Sequence, residues 1–182
     1  MEPGAVGILI LGGLVTRDVV IAGADSREPL GAGDIIRPWD DRTAVDPIPT
    51  RTAWSVIEPL TMVVLDRRWR LFGARWPALG DEILHRMTRR ARWLSVLVAI
   101  TGLRGVEGRL TLLLWHLAGN WGRVTPRGTL VPLPLTHELM ADLIGARRPS
   151  VTTALTQMER DGSVRRVDEG WLLRGDAPSP DG

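Results

Sequence analysis

Leu135-Thr136-His137-Glu138-Leu139-Met140-Ala141-Asp142-Leu143-Ile144-Gly145-Ala146-Arg147-Arg148-Pro149-Ser150-Val151-Thr152-Thr153-Ala154-Leu155-Thr156-Gln157-Met158 is the stretch that decides the fold. Thr136 is a good helix N-cap, and Glu138 stands in the first turn, where the helix dipole favours an anion. Leu139, Met140, Leu143 and Ile144 recur at helical spacing and form one apolar face. Gly145 follows, where a helix end needs a left-handed residue. Pro149 lies in the first turn of the next helix, whose apolar face is Val151, Ala154, Leu155 and Met158. Two short amphipathic helices joined by a glycine turn make a helix–turn–helix.

The other face of the second helix is small and polar. Arg147, Arg148, Ser150, Thr153 and Thr156 point away from the core, at the end that enters a DNA major groove in this motif. Arginine can donate two hydrogen bonds to guanine, and Ser and Thr hydroxyls suit phosphates. Thr136 and His137 could hold the backbone as well. Downstream, Val164-Arg165-Arg166-Val167 and Trp171-Leu172-Leu173-Arg174 flank Asp168-Glu169-Gly170 and read as a two-stranded wing, with arginines placed for phosphate. The plainer reading is a helical-hairpin packing unit with solvated arginines. The wing, the glycine turn and the arginine pair weigh against it together.

Upstream, Pro77 opens a helical pattern of about 25 residues. Leu79, Ile83, Met87, Ala91, Leu94, Val98 and Thr101 form one stripe, and Trp93, Val96, Leu97 and Ile100 a second apolar face. A helix with two apolar faces must bury both. A second copy of the same helix is the economical cover for one of them, against the alternative that both bury within one subunit. Gly102 and Gly105 mark a hinge, and Arg109–Leu117 begins another apolar helix. Pro126–Gly128 is a turn, and Thr129–Leu135 a short strand broken by prolines. Residues 5–66 read as short strands: Val6–Leu11, a turn or close approach at Gly12-Gly13, Leu14–Val20, and Ile35-Ile36 after the Gly31–Asp34 turn. A polar loop from Pro38 to Pro49 follows, then Thr52–Ile57 and Leu60–Leu65 joined by a turn at Glu58-Pro59. This spacing suggests a small barrel or roll.

The chain has 182 residues, no Cys and no Lys, with a formal net charge of +2. Lack of Cys excludes disulfides, thiolate catalysis, iron–sulfur clusters and cysteine zinc sites. Residues 1–66 hold 5 Arg against 10 acidic residues, residues 67–109 hold 10 against 3, and residues 110–182 hold 8 of each. A basic middle suits an anionic partner only weakly, and a GC-rich genome explains an Arg-only chain equally well. No apolar run approaches the roughly 20 residues of a membrane span. Met1–Gly13 lacks a signal peptide's basic residues, so a cytoplasmic protein is expected. His85, His116 and His137 match no metal-ligand spacing, and Asp40, Asp41 and Asp46 read as a solvated loop. No Ser–His–Asp arrangement is defensible, so no enzyme is expected. The eight Trp are not clustered as a platform for single strands would require.

Residues 77–175 resemble the long dimer helix and winged helix–turn–helix of the Crp/Fnr transcription regulators. Val106-Glu107-Gly108-Arg109-Leu110 is similar to that family's V-x-G-R-[IL] opening of the DNA-binding domain. Leu30-Gly31-Ala32-Gly33-Asp34-Ile35-Ile36 is similar to its L-x-x-G-D-x-[IF] turn in the cyclic-nucleotide-binding β-roll. The resemblance implies an α+β chain: a partial cyclic-nucleotide-binding-type β-roll over 4–75, a long dimerisation helix over 76–104 and a winged helix–turn–helix over 105–175. A disordered tail over 176–182 completes the reading. It implies that Arg148 reads bases and that Arg147 and Ser150 contact phosphate. Pro149 stands where many relatives carry a base-reading Glu, and Thr153 where many carry an Arg, so the target sequence should differ. The expected partners are double-stranded DNA, a second copy in a homodimer, and RNA polymerase, with no membrane. The alternative is a protein-interaction module with no specific DNA site.

The family's phosphate-binding cassette has a Gly-Glu-[LI] step and a later Arg-Ser-Ala step. Here Arg51-Thr52-Ala53-Trp54 is similar to the second, whereas Arg37-Pro38-Trp39 replaces the first and brings no carboxylate to the ribose. Arg90 and Ser95 match positions that face the nucleotide in relatives. Cyclic AMP binding is therefore expected to be weak or absent, since a lost buried charge-assisted hydrogen bond costs a few kcal/mol. Either Trp39 fills the pocket, or Arg37, Arg51, Thr52, Arg90 and Ser95 serve another anionic effector. Relatives also begin with a helix and further strands before the position of Val6. Either Met1 is not the natural start, or the chain keeps half a sensor and exposes apolar strands.

Overall fold

The computed structural model describes residues 5–22, 24–40 and 48–179. The chain divides into two compact units, residues 1–93 and 94–182.

The first unit is built on one long strand. β1 (Gly7–Ile21) pairs antiparallel with β2 (Ala24–Gly31), with the short β3 (Ile35–Ile36) and with β4 (Thr50–Leu65). Of the two expectations at Gly12-Gly13 the close backbone approach is the one realised, at Gly13 against Pro59, whereas the turn expected at Glu58-Pro59 does not form. β1 and β4 each run through, and their register slips between Ile10 and Val15, where Gly12 lies opposite Thr61 and Leu14 opposite Glu58. Both breaks therefore fall at one bulged corner of a single ribbon, which bends there. Ile8, Ile10, Val15, Leu30 and Ile36 form the core, with Trp39, Trp54 and Leu60 packed on it. β4 is open on both faces: Val56, Ile57, Met62, Val63 and Val64 are exposed. Within the loop expected from Pro38 to Pro49, residues 41–47 lie outside the described residues.

Sequence reading missed α1 (Arg67–Arg75), a nine-residue helix whose four arginines outnumber its short apolar face of Trp69 and Phe72. Its start signal is Asp66, whose carboxylate accepts from the backbone N–H of Arg68 (2.8 Å) and Trp69 (3.1 Å). α2 (Pro77–Thr101) has the expected length. It buries Trp93, Leu97 and Ile100 of the second face while Val96 is exposed, and it leaves the first stripe partly open, with Leu79, Met87 and Val98 exposed and Ile83 and Leu94 half-buried.

The second unit holds α3 (Val106–Trp121), β5 (Arg123–Thr125), β6 (Gly128–Val131), α4 (His137–Ile144), α5 (Arg148–Arg160), β7 (Val164–Val167) and β8 (Gly170–Leu173). Leu110, Leu113, Leu114 and Leu117, at spacings of three and four, are fully buried on α3, which packs on α4 and α5. The strands form one antiparallel sheet in the order β5-β6-β8-β7. The strand expected over Thr129–Leu135 ends at Val131. A preceding strand, β5, pairs with it across the Pro126–Gly128 turn. The tail expected after 175 carries no helix or strand through 179, and 180–182 lie outside the described residues.

Candidate nucleic-acid interface

α4 begins and ends as its sequence dictates. Thr136 Oγ1 accepts from the Leu139 N–H at 3.1 Å, a side-chain N-cap. Gly145 sits at φ 61°, ψ 45°, and the Ala146 N–H returns to the Ala141 carbonyl at 2.9 Å, closing the helix with a left-handed residue. Arg109 of α3 adds a second closure. Its Nη1 donates to the Ile144 carbonyl at 2.7 Å, placing a cation at the negative end of α4. Sequence reading gave Arg109 no role beyond the opening motif, because its partner lies 35 residues on.

The three-residue turn delivers α5 with its N-terminal end in solvent. Arg147, Arg148, Pro149, Ser150, Thr153 and Thr156 are all exposed, while Val151, Ala154, Leu155 and Met158 are buried against the rest of the unit. Thr153 donates to the Pro149 carbonyl (3.1 Å) and Thr156 to the Thr152 carbonyl (2.9 Å). Their hydroxyl protons are spent within the helix. Outward they offer an acceptor lone pair and a methyl group, features that suit base amino groups and the thymine methyl better than phosphate oxygens.

Beside this face lies a cleft of about 610 Å³. It gathers Thr136 and His137 from α4, Arg148 and Glu159 from α5, and Arg166 and Trp171 from the wing. Arg166 is not a free arm. Its guanidinium lies 5.0 Å from the Trp171 ring centroid and donates to the Leu135 carbonyl at 3.1 Å, the same oxygen that accepts from Trp171 Nε1 at 3.2 Å. Arg165 is exposed on the other side of the hairpin, near Arg127 and Glu169. Ser150, Thr153 and Thr156 belong to a separate surface with Glu107, Gln157 and Arg160. Thr152, to which sequence reading assigned no role, joins α5 to α4: its Oγ1 is 2.9 Å from His137 Nδ1. Two threonines one helical turn apart gave no sign of which would meet a histidine fifteen residues upstream.

The residues considered for an anionic effector are dispersed. Arg37 donates to the Val6 carbonyl at 2.6 Å and is paired with Asp40, whose carboxyl the guanidinium holds below the usual carboxylate range. Arg51 pairs with Val20 and Thr52 with Val19, at the opposite end of β1. Arg90 is paired with Glu28 of the chain itself, a carboxylate that Arg17 also meets. The Arg90 guanidinium meets Glu28 and donates to the Pro29 carbonyl at 2.9 Å, with Asp34 at 3.7 Å and the Trp93 ring centroid at 4.5 Å. Ser95 is exposed on α2. Among the described residues no group of His, Asp and Glu could hold a metal ion, and no helix is long and apolar enough to cross a membrane.

Residues 108–174 match the Crp-like helix-turn-helix domain. The regulatory protein CysR of Synechococcus elongatus is 32% identical over 101 residues, which cover 54% of this chain and 48% of that protein. The chain thus spans about half the length of CysR. The CRP-like cAMP-activated global transcriptional regulator of Mycobacterium tuberculosis is 28% identical over 177 residues, 94% of this chain and 77% of the relative. Among solved structures, a CooA mutant from Carboxydothermus hydrogenoformans aligns with a TM-score of 0.70 at 21% identity, over 96% of this chain and 76% of that one. FixK2 from Bradyrhizobium japonicum aligns with a TM-score of 0.69 at 16% identity, over 96% and 85%. The structural likenesses establish a shared α+β fold.

Proposed function

We propose that this chain is a Crp/Fnr-type transcription regulator that binds duplex DNA sequence-specifically as a homodimer, a reading supported by the match of residues 108–174 to the Crp-like helix-turn-helix domain. The observation that carries the reading is the exposed N-terminal end of α5, with Arg147 and Arg148 beside a cleft that also holds Thr136, His137 and Arg166. Phosphate contacts from Arg147, Ser150, Arg165 and the cleft set the register, and Arg148 reads a guanine. The back-bonded Thr153 and Thr156 present methyl groups and acceptors to neighbouring bases. The apolar stripe Leu79–Met87–Val98, left open on α2, is the face that a second copy covers. Two-fold symmetry then calls for an inverted repeat with half-sites about one helical turn apart.

The same reading makes the protein unresponsive to cyclic AMP. Arg90 is paired with Glu28, which it shares with Arg17, and Trp39 packs on the core of the roll near the place where the resemblance expects a ribose-binding acid. Titration calorimetry with cyclic AMP checks this point, and micromolar or tighter binding refutes it.

Fluorescence anisotropy on random and selected duplexes, over a salt series, tests the main reading. Specific binding should exceed binding to random duplex by at least about a thousandfold. A second reading, a protein-interaction module, has one observation in its favour: Glu138 and Glu159 line the same cleft as the cations. Failure to bind any duplex at low salt would favour it.

A further inference from the structure

We infer that Thr152 dictates which nitrogen of His137 carries the proton, so that His137 grips a DNA phosphate only as an imidazolium and affinity for DNA rises as pH falls. This inference rests on the DNA-binding reading above and deepens it.

Thr152 Oγ1 lies 3.1 Å from the Arg148 carbonyl oxygen, one turn back on α5. A carbonyl only accepts, so the single hydroxyl proton of Thr152 is committed to it. The same Oγ1 lies 2.9 Å from His137 Nδ1. With its proton spent, the hydroxyl can only accept there, and Nδ1 must be the protonated nitrogen. On the neutral ring Nε2 is then a bare lone pair, which repels a phosphate oxygen rather than binding it. Only a second proton, on Nε2, turns that side of the ring into a charged donor.

The ring stands at the first residue of α4, in the cleft with Glu138 of its own helix, Arg148 and Glu159 of α5 and Arg166 of β7. Trp171 of β8 lies 6.1 Å away between ring centroids. Two carboxylates and two guanidiniums thus face the ring. A phosphate entering among them tips the balance towards the imidazolium. A protomer that docks with the imidazolium formed makes one phosphate contact more, and each such contact releases one more counterion. Thr152 is a positioning residue: it acts on DNA through His137.

The test uses the full chain and a fluorescein-labelled duplex carrying its selected site, with anisotropy titrations near pH 6 and near pH 8, the range over which histidine changes charge. Wild-type affinity should fall by about tenfold or more across that range. The salt slope should be steeper at the lower pH by about one unit per protomer. H137R should bind with nearly equal affinity at both values, and H137N should be weak at both. T152V removes the acceptor that fixes the tautomer, so Nε2 of the neutral ring can carry the proton. It should gain affinity near pH 8, which a merely structural role would not produce. Wild-type binding that is equal at both values, or an H137N profile that keeps the wild-type slope, overturns the inference while leaving DNA binding intact. Absence of binding to any duplex at either pH overturns the DNA-binding reading itself, and this inference with it.

Discussion

Gly13 and Pro59 meet backbone to backbone: a Cβ built on Gly13 would stand 2.2 Å from the Pro59 carbonyl oxygen, and Gly13 holds φ at 87°. Its neighbour Gly12 has nothing within 4 Å and no such φ. G13A should therefore cost the first unit upwards of about 2 kcal/mol, from strain and forced separation of β1 from β4. G12A should stay within about 1 kcal/mol of the natural protein. Urea unfolding followed by tryptophan fluorescence separates the two. Equal losses would show that the corner tolerates a side chain.

That corner also shows where sequence reading ran out. Glycine pairs and Pro punctuate strands locally, and nothing local reveals that two breaks 45 residues apart lie opposite each other and bend one ribbon. The helix–turn–helix was legible because its signals are local. Thr136 caps, Gly145 adopts the left-handed turn, and the apolar spacing of α4 and α5 matches their buried faces. Partnerships across long separations were not legible: Arg109 with Ile144, His137 with Thr152, Arg90 with Glu28. In each case the residue type fits several roles, and only packing chooses among them.

Asp34 gives the first unit a pH dependence with a definite sign. Burial raises its carboxyl above the ordinary value of 3.8, and Arg90 and the Gly31 N–H offset this only partly. The folded state therefore holds the proton at pH values where the unfolded chain has lost it. Between 3.8 and the raised folded value, stability falls as pH rises, and above that window the cost is fully present. D34N keeps an acceptor for the Gly31 N–H, 2.8 Å from Asp34 Oδ2, and should flatten that slope in acid unfolding curves. An unchanged slope would assign it to another group.

Glu28 is held between two guanidiniums, with Arg17 Nη2 at 2.7 Å and Arg90 on the other side, and is itself buried. E28Q should cost about 3–5 kcal/mol, because it leaves buried positive charge without its partner. Replacing the Glu28–Arg90 pair together, as E28M/R90M, should recover part of that loss. E28Q should also let millimolar sulfate raise the melting temperature, the anion taking the vacated place. The natural protein should show a smaller rise. If sulfate stabilises both equally, Arg90 is open to anions despite Glu28.

Gly145 has open space around it, so its conformation alone sets the cost of a side chain. G145A should lose about 1–2 kcal/mol, the left-handed penalty. G170A has φ 144° and would place its Cβ 2.1 Å from the Val131 carbonyl oxygen, so it should lose considerably more. Thermal unfolding orders the two, and the reverse order would mean that the wing hairpin shifts to make room.

Arg148, Arg165 and Arg166 are alike in sequence and differ in attachment, which separates their expected effects. Arg148 is exposed at the first turn of α5, so R148A should cut discrimination between the selected site and random duplex by about 1–3 kcal/mol while leaving stability alone. Arg165 projects from the wing, so R165A should weaken binding to all duplexes alike and make the salt slope shallower by about 0.9. Arg166 is tied to the Leu135 carbonyl and stacked on Trp171. R166A removes a hydrogen bond and a cation–π contact, together about 1–3 kcal/mol of stability, as well as a cation from the cleft. It should therefore lower the melting temperature, where R165A does not. Equal discrimination in R148A and the natural protein would take base reading away from Arg148 and leave it to the methyl and acceptor groups of Thr153 and Thr156.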